Sequence, residues 1–277
     1  MNEVFTEVLE GDASCLFDNC VDLFKYIEFD SSLQLHYSGL PLKLDIVKCR
    51  LGRFGAAIRK TTDQPLDRNL SKEMSEVMRD ILQGIVGTFK LNYGMACRRL
   101  AMSADTHHTV CTGVITDSNS THLRDCLNTV TEERLFKPHL IEKTPWTIYN
   151  ERHAESIIGN CDSYIDELEK FFKPDASTIH QLATKELGEV TEALPLFWIQ
   201  NAAQGVDSVM KGVAEQKYKE QTGFSPDRFS FDIDDSGRNR KFNRLQLGDN
   251  IVGSIGPGFK GKISIGHTYG GKGFWDV

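Results

Sequence analysis

The chain has 277 residues, 40% of them apolar, and a formal net charge of -7, so it can fill a proper core and form one large or two smaller globular domains. Residues 223–277 hold eight Lys or Arg against six Asp or Glu, which makes this tail +2 and the body -9, and they contain 11 of the 23 glycines; such a segment does not extend the body's fold, and the boundary is placed near Gly223. Seven irregularly spaced cysteines without a signal-peptide pattern exclude a disulfide framework and point to the cytosol, and the longest uncharged apolar run, fourteen residues at 193–206, falls short of the roughly 18 a membrane span needs.

In residues 14–28, Leu16, Phe17, Cys20, Val21, Phe24 and Ile27 recur three to four apart, which predicts a core-facing amphipathic helix. Pro41 suits a first helical position, and Leu44, Val47, Leu51, Phe54 and Ile58 continue the period through a second helix. Ser71 is placed to cap a third, whose stripe is Met74, Val77, Met78, Ile81, Leu82, Ile85, Val86 and Phe89 and which continues to about 102. Residues 103–120 are polar and turn-forming and read as a long exposed loop. A shorter helix follows near 121–136, and Thr144-Pro145 opens a long one that runs from Trp146 to Phe172 and stops at Pro174. Two more, 175–193 and 196–219, are joined at Pro195. With almost no alternating pattern before residue 223, the expected fold of residues 1–222 is an all-α helical bundle.

The tail carries a repeat. "RLQLGDNI" (244–251) and "KISIGHTY" (262–269) share the order base, apolar, polar, apolar, glycine, two polar residues, apolar, at an offset of 18 residues. Alternation puts Leu245 with Leu247 and Ile263 with Ile265, while Gly248 and Gly266 allow a corner before Ile251 and Tyr269. Strand, corner, strand is a solenoid rung, which cannot bury its own apolar face and must stack on a copy or another molecule. Asn243 and Asn250 would add amide ladders. A flexible tail with chance similarity over eight positions is the other reading of the same letters.

Other patterns carry less. "GPGFKGKI" (256–263) approaches the phosphate-binding GxxxxGK[ST] loop, but Ile263 stands where the magnesium-binding hydroxyl belongs. His107, His108 and Cys111, with His122 and Cys126, are zinc-ligand types without a CxxC or HxxxH spacing, and the same residues as a nucleophilic pair lack an orienting acid. Neither a catalytic pair nor a cofactor loop emerges, so an enzyme is not expected. Val4, Phe5, Val8, Leu9, Leu16 and Phe17 share one side of a candidate membrane-active helix. Against that, the first 28 residues carry seven acids and one base, whereas a surface-seeking helix normally presents Lys or Arg to lipid.

Taken with the tail, "LFDNCVDLFKYI", "LKLDIVKCRLGRFG", "KTPWTIYNERHAESII", "YIDELEKFF", "AAQGVDSVMKGVAEQK", "RLQLGDNI" and above all "YGGKGFWD" resemble the fungal HET-s/HET-S heterokaryon-incompatibility proteins, over most of the chain. In that family a helical HeLo domain precedes a prion-forming C-terminal segment. The resemblance implies a regulated cell-death module in which the tail, disordered as a monomer, folds on an already folded copy into a stacked amyloid β-solenoid. The template is a prion or a NOD-like receptor with a similar motif. Tail folding then disrupts the HeLo domain, whose N-terminal apolar segment moves to the plasma membrane and makes it leak; prion-type members lack that last ability.

The partners implied are the chain itself, as amyloid and as a HeLo dimer, related HET-s/HET-S proteins, a receptor and, on activation, the membrane; neither nucleic acid nor a cofactor is expected. Carried onto this chain, the resemblance makes Leu245, Leu247, Gly248, Ile251, Ile263, Ile265, Gly266 and Tyr269 amyloid-core positions. It folds Phe274 and Trp275 back over the solenoid, with glycines 270, 271 and 273 turning the loop. Two departures stand out: the family's repeats lie about twice as far apart, and its toxic members begin with a nearly uncharged apolar segment. A non-toxic protein that caps related HeLo domains is the alternative to the toxic effector.

Overall fold

The computed structural model describes residues 12–30, 33, 39–59, 65–66, 70–103, 118–135, 145–223, 229–233 and 242–247. By its internal contacts the chain falls into two units, Met1–Ala214 and Glu215–Val277.

The first described helix, α1 (Ala13–Leu23), begins where the Asp12 carboxylate accepts the Cys15 amide at 2.7 Å, satisfying one of the donors a helix start leaves open. It buries Leu16, Phe17, Cys20 and Val21, as the spacing predicts, and also Asp18, Asn19 and Asp22. The helix is shorter than the expected 14–28. After a 3-10 turn at Phe24–Tyr26 the chain extends as β1 (Ile27–Phe29), parallel to β2 (Trp146–Ile148), with Ile27 opposite Trp146 and Phe29 opposite Ile148. The long helix expected from Trp146 therefore starts later, as α5 (Glu151–Phe172), capped by Asn150, which accepts the Arg152 amide at 2.8 Å. Two apolar residues at i and i+2, Trp146 and Ile148, fit a strand as well as the end of a helical stripe, and pairing across the fold decides between them.

The hub is α2 (Gly39–Ile58), which buries Leu44, Val47, Leu51 and Phe54 together with Ile46, Cys49, Arg53 and Gly55. It starts two residues before Pro41, a position still inside the first turn where a missing N–H costs nothing. Packed on it are α1, α4 (Ser118–Glu132), α5, α6 (Ala176–Glu186) and α7 (Ala193–Ala203). The longest helix, α3 (Lys72–Ser103), packs on α1 and α5. Ser71 Oγ accepts the Met74 amide at 3.3 Å at its start, and Met78, Leu82, Ile85, Val86 and Phe89 are buried along the predicted stripe. The last described helix is α8 (Ser208–Thr222).

The expected helices 175–193 and 196–219 are three in the structure, and Pro195 joins none of them; it sits in the first turn of α7, which proline tolerates. The breaks fall at residues 187–192 and at Gly205, whose φ of +81° is a conformation open to glycine at little cost. The all-α reading stands for the bundle, with one two-stranded parallel pair added. The described part of the second unit includes β3 (Phe229–Ile233) and β4 (Phe242–Leu247), antiparallel, with Phe229 opposite Leu247 and Phe231 opposite Leu245.

Where α1 meets α2, Phe17 lies on the bare backbone of Gly55: a methyl group there would stand 2.4 Å from two of the ring carbons. Gly55→Ala is expected to destabilise by about 1–3 kcal/mol, because a close-packed core has no room to absorb the overlap. The check is a lower urea midpoint at unchanged slope.

Candidate functional site

No cleft gathers reactive groups among the described residues. The bundle's unusual feature is a line of buried charges. Arg53 of α2 donates through Nη2 to Asp207 Oδ2, and its Nε lies 3.3 Å from Glu186 Oε1 at the end of α6. That same oxygen accepts from Arg134 Nη1, in the turn after α4. The Arg134 carbonyl accepts from Arg59 Nη1 at 2.6 Å, just beyond α2, and Arg59 Nη2 reaches Asp18 Oδ1 of α1 at 2.7 Å. The Arg59 guanidinium also lies 5.5 Å from the centre of the Phe17 ring, a cation–π distance. None of these six side chains is more than 8% exposed.

Burial disfavours every charge in this line, and the partners oppose it. Burial pulls the Arg53 guanidinium down, but Glu186 and Asp207 outweigh it and hold the proton more tightly than usual. Burial pushes the Glu186 carboxyl up against the opposing pull of Arg53 and Arg134. Arg134 donates to Glu186 Oε1 and the Arg53 guanidinium stands within ion-pair distance of the same oxygen, so two cations flank one carboxyl group. At the far end, Asp207 Oδ1 accepts the Met210 amide at 2.9 Å, so this residue caps α8 as well as ending the line.

One turn earlier on α2, Arg50 Nη1 donates to the Val206 carbonyl at 2.8 Å and to Asp162 at 2.7 Å, while Nη2 reaches Asp166 at 2.6 Å and Glu169. One cation thus faces three carboxylates of α5. Burial raises the Asp162 carboxyl, Arg50 opposes the rise, and Asp166 and Glu169 add to it. A carboxyl raised in the folded state binds more protons there than in the unfolded chain, so its contribution falls as pH rises above its ordinary 3.8. Asp162→Asn is expected to gain on the parent protein as pH is raised from about 4 to 6, by under about 1 kcal/mol because the site is partly solvated. Urea midpoints measured across that range give the difference.

Of the candidate membrane-active residues, Leu16 and Phe17 are at most 1% exposed in the core of α1; Val4, Phe5, Val8 and Leu9 lie outside the described residues. Among the described residues no helix is long and apolar enough to cross a membrane. His122 Nδ1 and Cys126 Sγ stand 3.7 Å apart on α4, and no group of three His, Cys, Asp or Glu gathers among the described residues; His107, His108 and Cys111 lie outside them. Asn243, Leu245 and Leu247 fall in β4. Gly248, Asn250, Ile251, Ile263, Ile265, Gly266, Tyr269, Phe274 and Trp275 lie outside the described residues.

The charge line is not among the sequence-based expectations. Its signal in the letters is Arg53, which stands between Leu51 and Phe54 inside the α2 stripe.

Comparison with known proteins supplies what the geometry does not. Residues 11–196 match the HeLo family, described as "Prion-inhibition and propagation". The chain is 29% identical over 287 residues to heterokaryon incompatibility protein s of Podospora anserina, covering 94% of each. It is 29% identical over 309 residues to heterokaryon incompatibility protein S of the same fungus, covering all of both. Its fold matches the solved HET-S N-terminal domain with a TM-score of 0.68 at 28% identity, over 78% of this chain and 98% of that one. A doubly substituted HET-s N-terminal domain matches at 0.66 and 28%, over 75% and 99%.

Proposed function

The chain belongs to the HeLo family, and from that membership we propose that it is a heterokaryon-incompatibility protein of the regulated cell-death class, built as a helical effector domain, residues 1–222, under the control of a prion-forming segment, residues 223–277. The observation that carries this reading is that the likeness to protein S runs the full length of both chains, tail included, and does not stop with the bundle. The tail folds on a templating copy and stacks as a β-solenoid with Leu245, Leu247, Ile251, Ile263, Ile265 and Tyr269 inside. A related HET-s/HET-S protein or a receptor with a matching motif supplies the template. Folding of the tail unseats the bundle and brings it to the membrane.

The physical basis is area. A single rung has no second apolar surface to cover its own, and gains one from each neighbour at a strand spacing of about 4.7 Å. Phe274 and Trp275 then have a groove to cover, each worth roughly 2–3 kcal/mol of burial.

A second reading is favoured by charge: the first 28 residues are -6, and carrying such a segment into a bilayer is costly. Under it the protein binds related HeLo proteins and blocks them without leaking membranes itself. One sample separates the two. Seeds of preformed tail fibre should shorten the lag of full-length assembly, and dye should then escape from vesicles of mixed neutral and anionic lipid. Seeded assembly without dye release selects the blocking role, and a lag that seeds do not change rejects both.

A further inference from the structure

The six buried charges link two helices far apart in the chain, α1 and α8. Asp207 caps α8, whose continuation leads into the tail, and Asp18 belongs to α1. Between them run Arg53, Glu186, Arg134 and Arg59, each within hydrogen-bond or ion-pair reach of the next. With all six in place, three positive charges face three negative ones.

Such an arrangement is an odd way to hold a bundle together. Well-packed apolar side chains of the same volume hold as well or better, because both partners of a buried pair must give up water. What a buried ion line does provide is asymmetry: complete, it is neutral, and with one member gone an uncompensated charge is left inside the protein. Asp207 is the member placed to leave. It follows Gly205, at a φ of +81°, and the main chain around it is held by the Asp207 amide on the Ala203 carbonyl at 2.9 Å and by Arg50 on the Val206 carbonyl. Its loss leaves Arg53 to share Glu186 with Arg134. Arg134 in turn presents the carbonyl that steadies Arg59, the partner of Asp18.

We propose that this line is a release device, through which withdrawal of Asp207 at the start of α8 loosens α1 at the other end of the line. As the step by which the tail acts on the body it rests on the function proposed above; as a coupling between α8 and α1 it stands alone.

Amide hydrogen exchange on the full-length protein tests both parts. Asp207→Asn keeps a side chain that caps helices as well as aspartate does, and removes the charge together with the oxygen that accepts from Arg53. It should speed exchange of the α1 amides from Leu16 to Val21 by about tenfold or more. Adding Arg53→Met makes the line neutral again, two positive charges against two negative, and should bring those amides back to within about threefold of the parent. Unchanged α1 exchange in the single variant, or a double variant as fast as the single one, overturns the coupling.

Should the single variant fail to fold, the double variant decides under seeding. In the parent, seeds convert the tail and α1 exchange rises. In Arg53→Met/Asp207→Asn the tail converts with the same lag, while α1 stays about tenfold better protected. An equal rise in both proteins overturns the release device. A parent tail that seeds cannot convert overturns the proposed function, and the unseeded comparison still decides the coupling.

Discussion

Replacing Arg53 by methionine is expected to lower the stability of the bundle by about 3–5 kcal/mol, the range for breaking a buried pair from one side. Methionine fills most of the same length and adds no polar group, so packing is nearly kept. What it removes is the guanidinium that donates to Asp207 and, among the described residues, one of the two within ion-pair reach of Glu186. Two buried carboxylates then remain, Glu186 with Arg134 beside it and Asp207 without its guanidinium, and the protein must bury a net negative charge or open to water. Arg53→Lys should recover less than half of the loss, because an ammonium on a flexible stem cannot present the planar fork that meets two carboxylates at once. Urea unfolding followed by circular dichroism measures both. A loss below about 1 kcal/mol for the methionine variant would show that the line is solvated and energetically slack.

The largest functional effect is expected in the tail. Leu247 and Ile265 hold the same place in the two eight-residue repeats, the second apolar position before the glycine. Replacing both by aspartate should abolish seeded assembly. In a stack every copy would place two carboxylates in a dry interior and would repeat them at each rung, so desolvation and like-charge repulsion add with every molecule joined. The urea midpoint of the helical domain should be unchanged. Fibres formed by this variant at the parent's rate would contradict the placement of both residues and with it the solenoid.

The bundle was legible where one face is apolar and the other is not. Met78, Leu82, Ile85, Val86 and Phe89 gave α3 its stripe, and all five are buried. It was less legible where an element is enclosed on every side. In α2 the apolar period places Val47, Leu51 and Phe54, but it offers no reason for a buried Lys48 or Arg53, because their partners sit on elements 80 to 154 residues away. Lys48 shows the limit well: its ammonium donates to Asn128 at 2.8 Å, and burial pulls its proton affinity down although Glu132 and Asp45 oppose it. Only the folded arrangement reveals that pairing. Trp146 failed for a related reason, since a three-residue strand is defined by its neighbour and not by its own letters. For the tail only the letters speak: the eight-residue repeat is read from the sequence, and most of its positions lie outside the described residues.

The parallel pairing of Ile27 with Trp146 joins positions about 120 residues apart. Closing a loop of that size costs about 4 kcal/mol in chain entropy before any contact repays it, so this junction forms late, after the intervening helices have taken shape. During synthesis at 5–20 residues per second, Ile27 and Phe29 leave the ribosome roughly 6–24 s before their partner strand is made. Through that interval a nascent chain presents an unpaired apolar edge next to α1, and chaperone capture of newly made protein should be sought there.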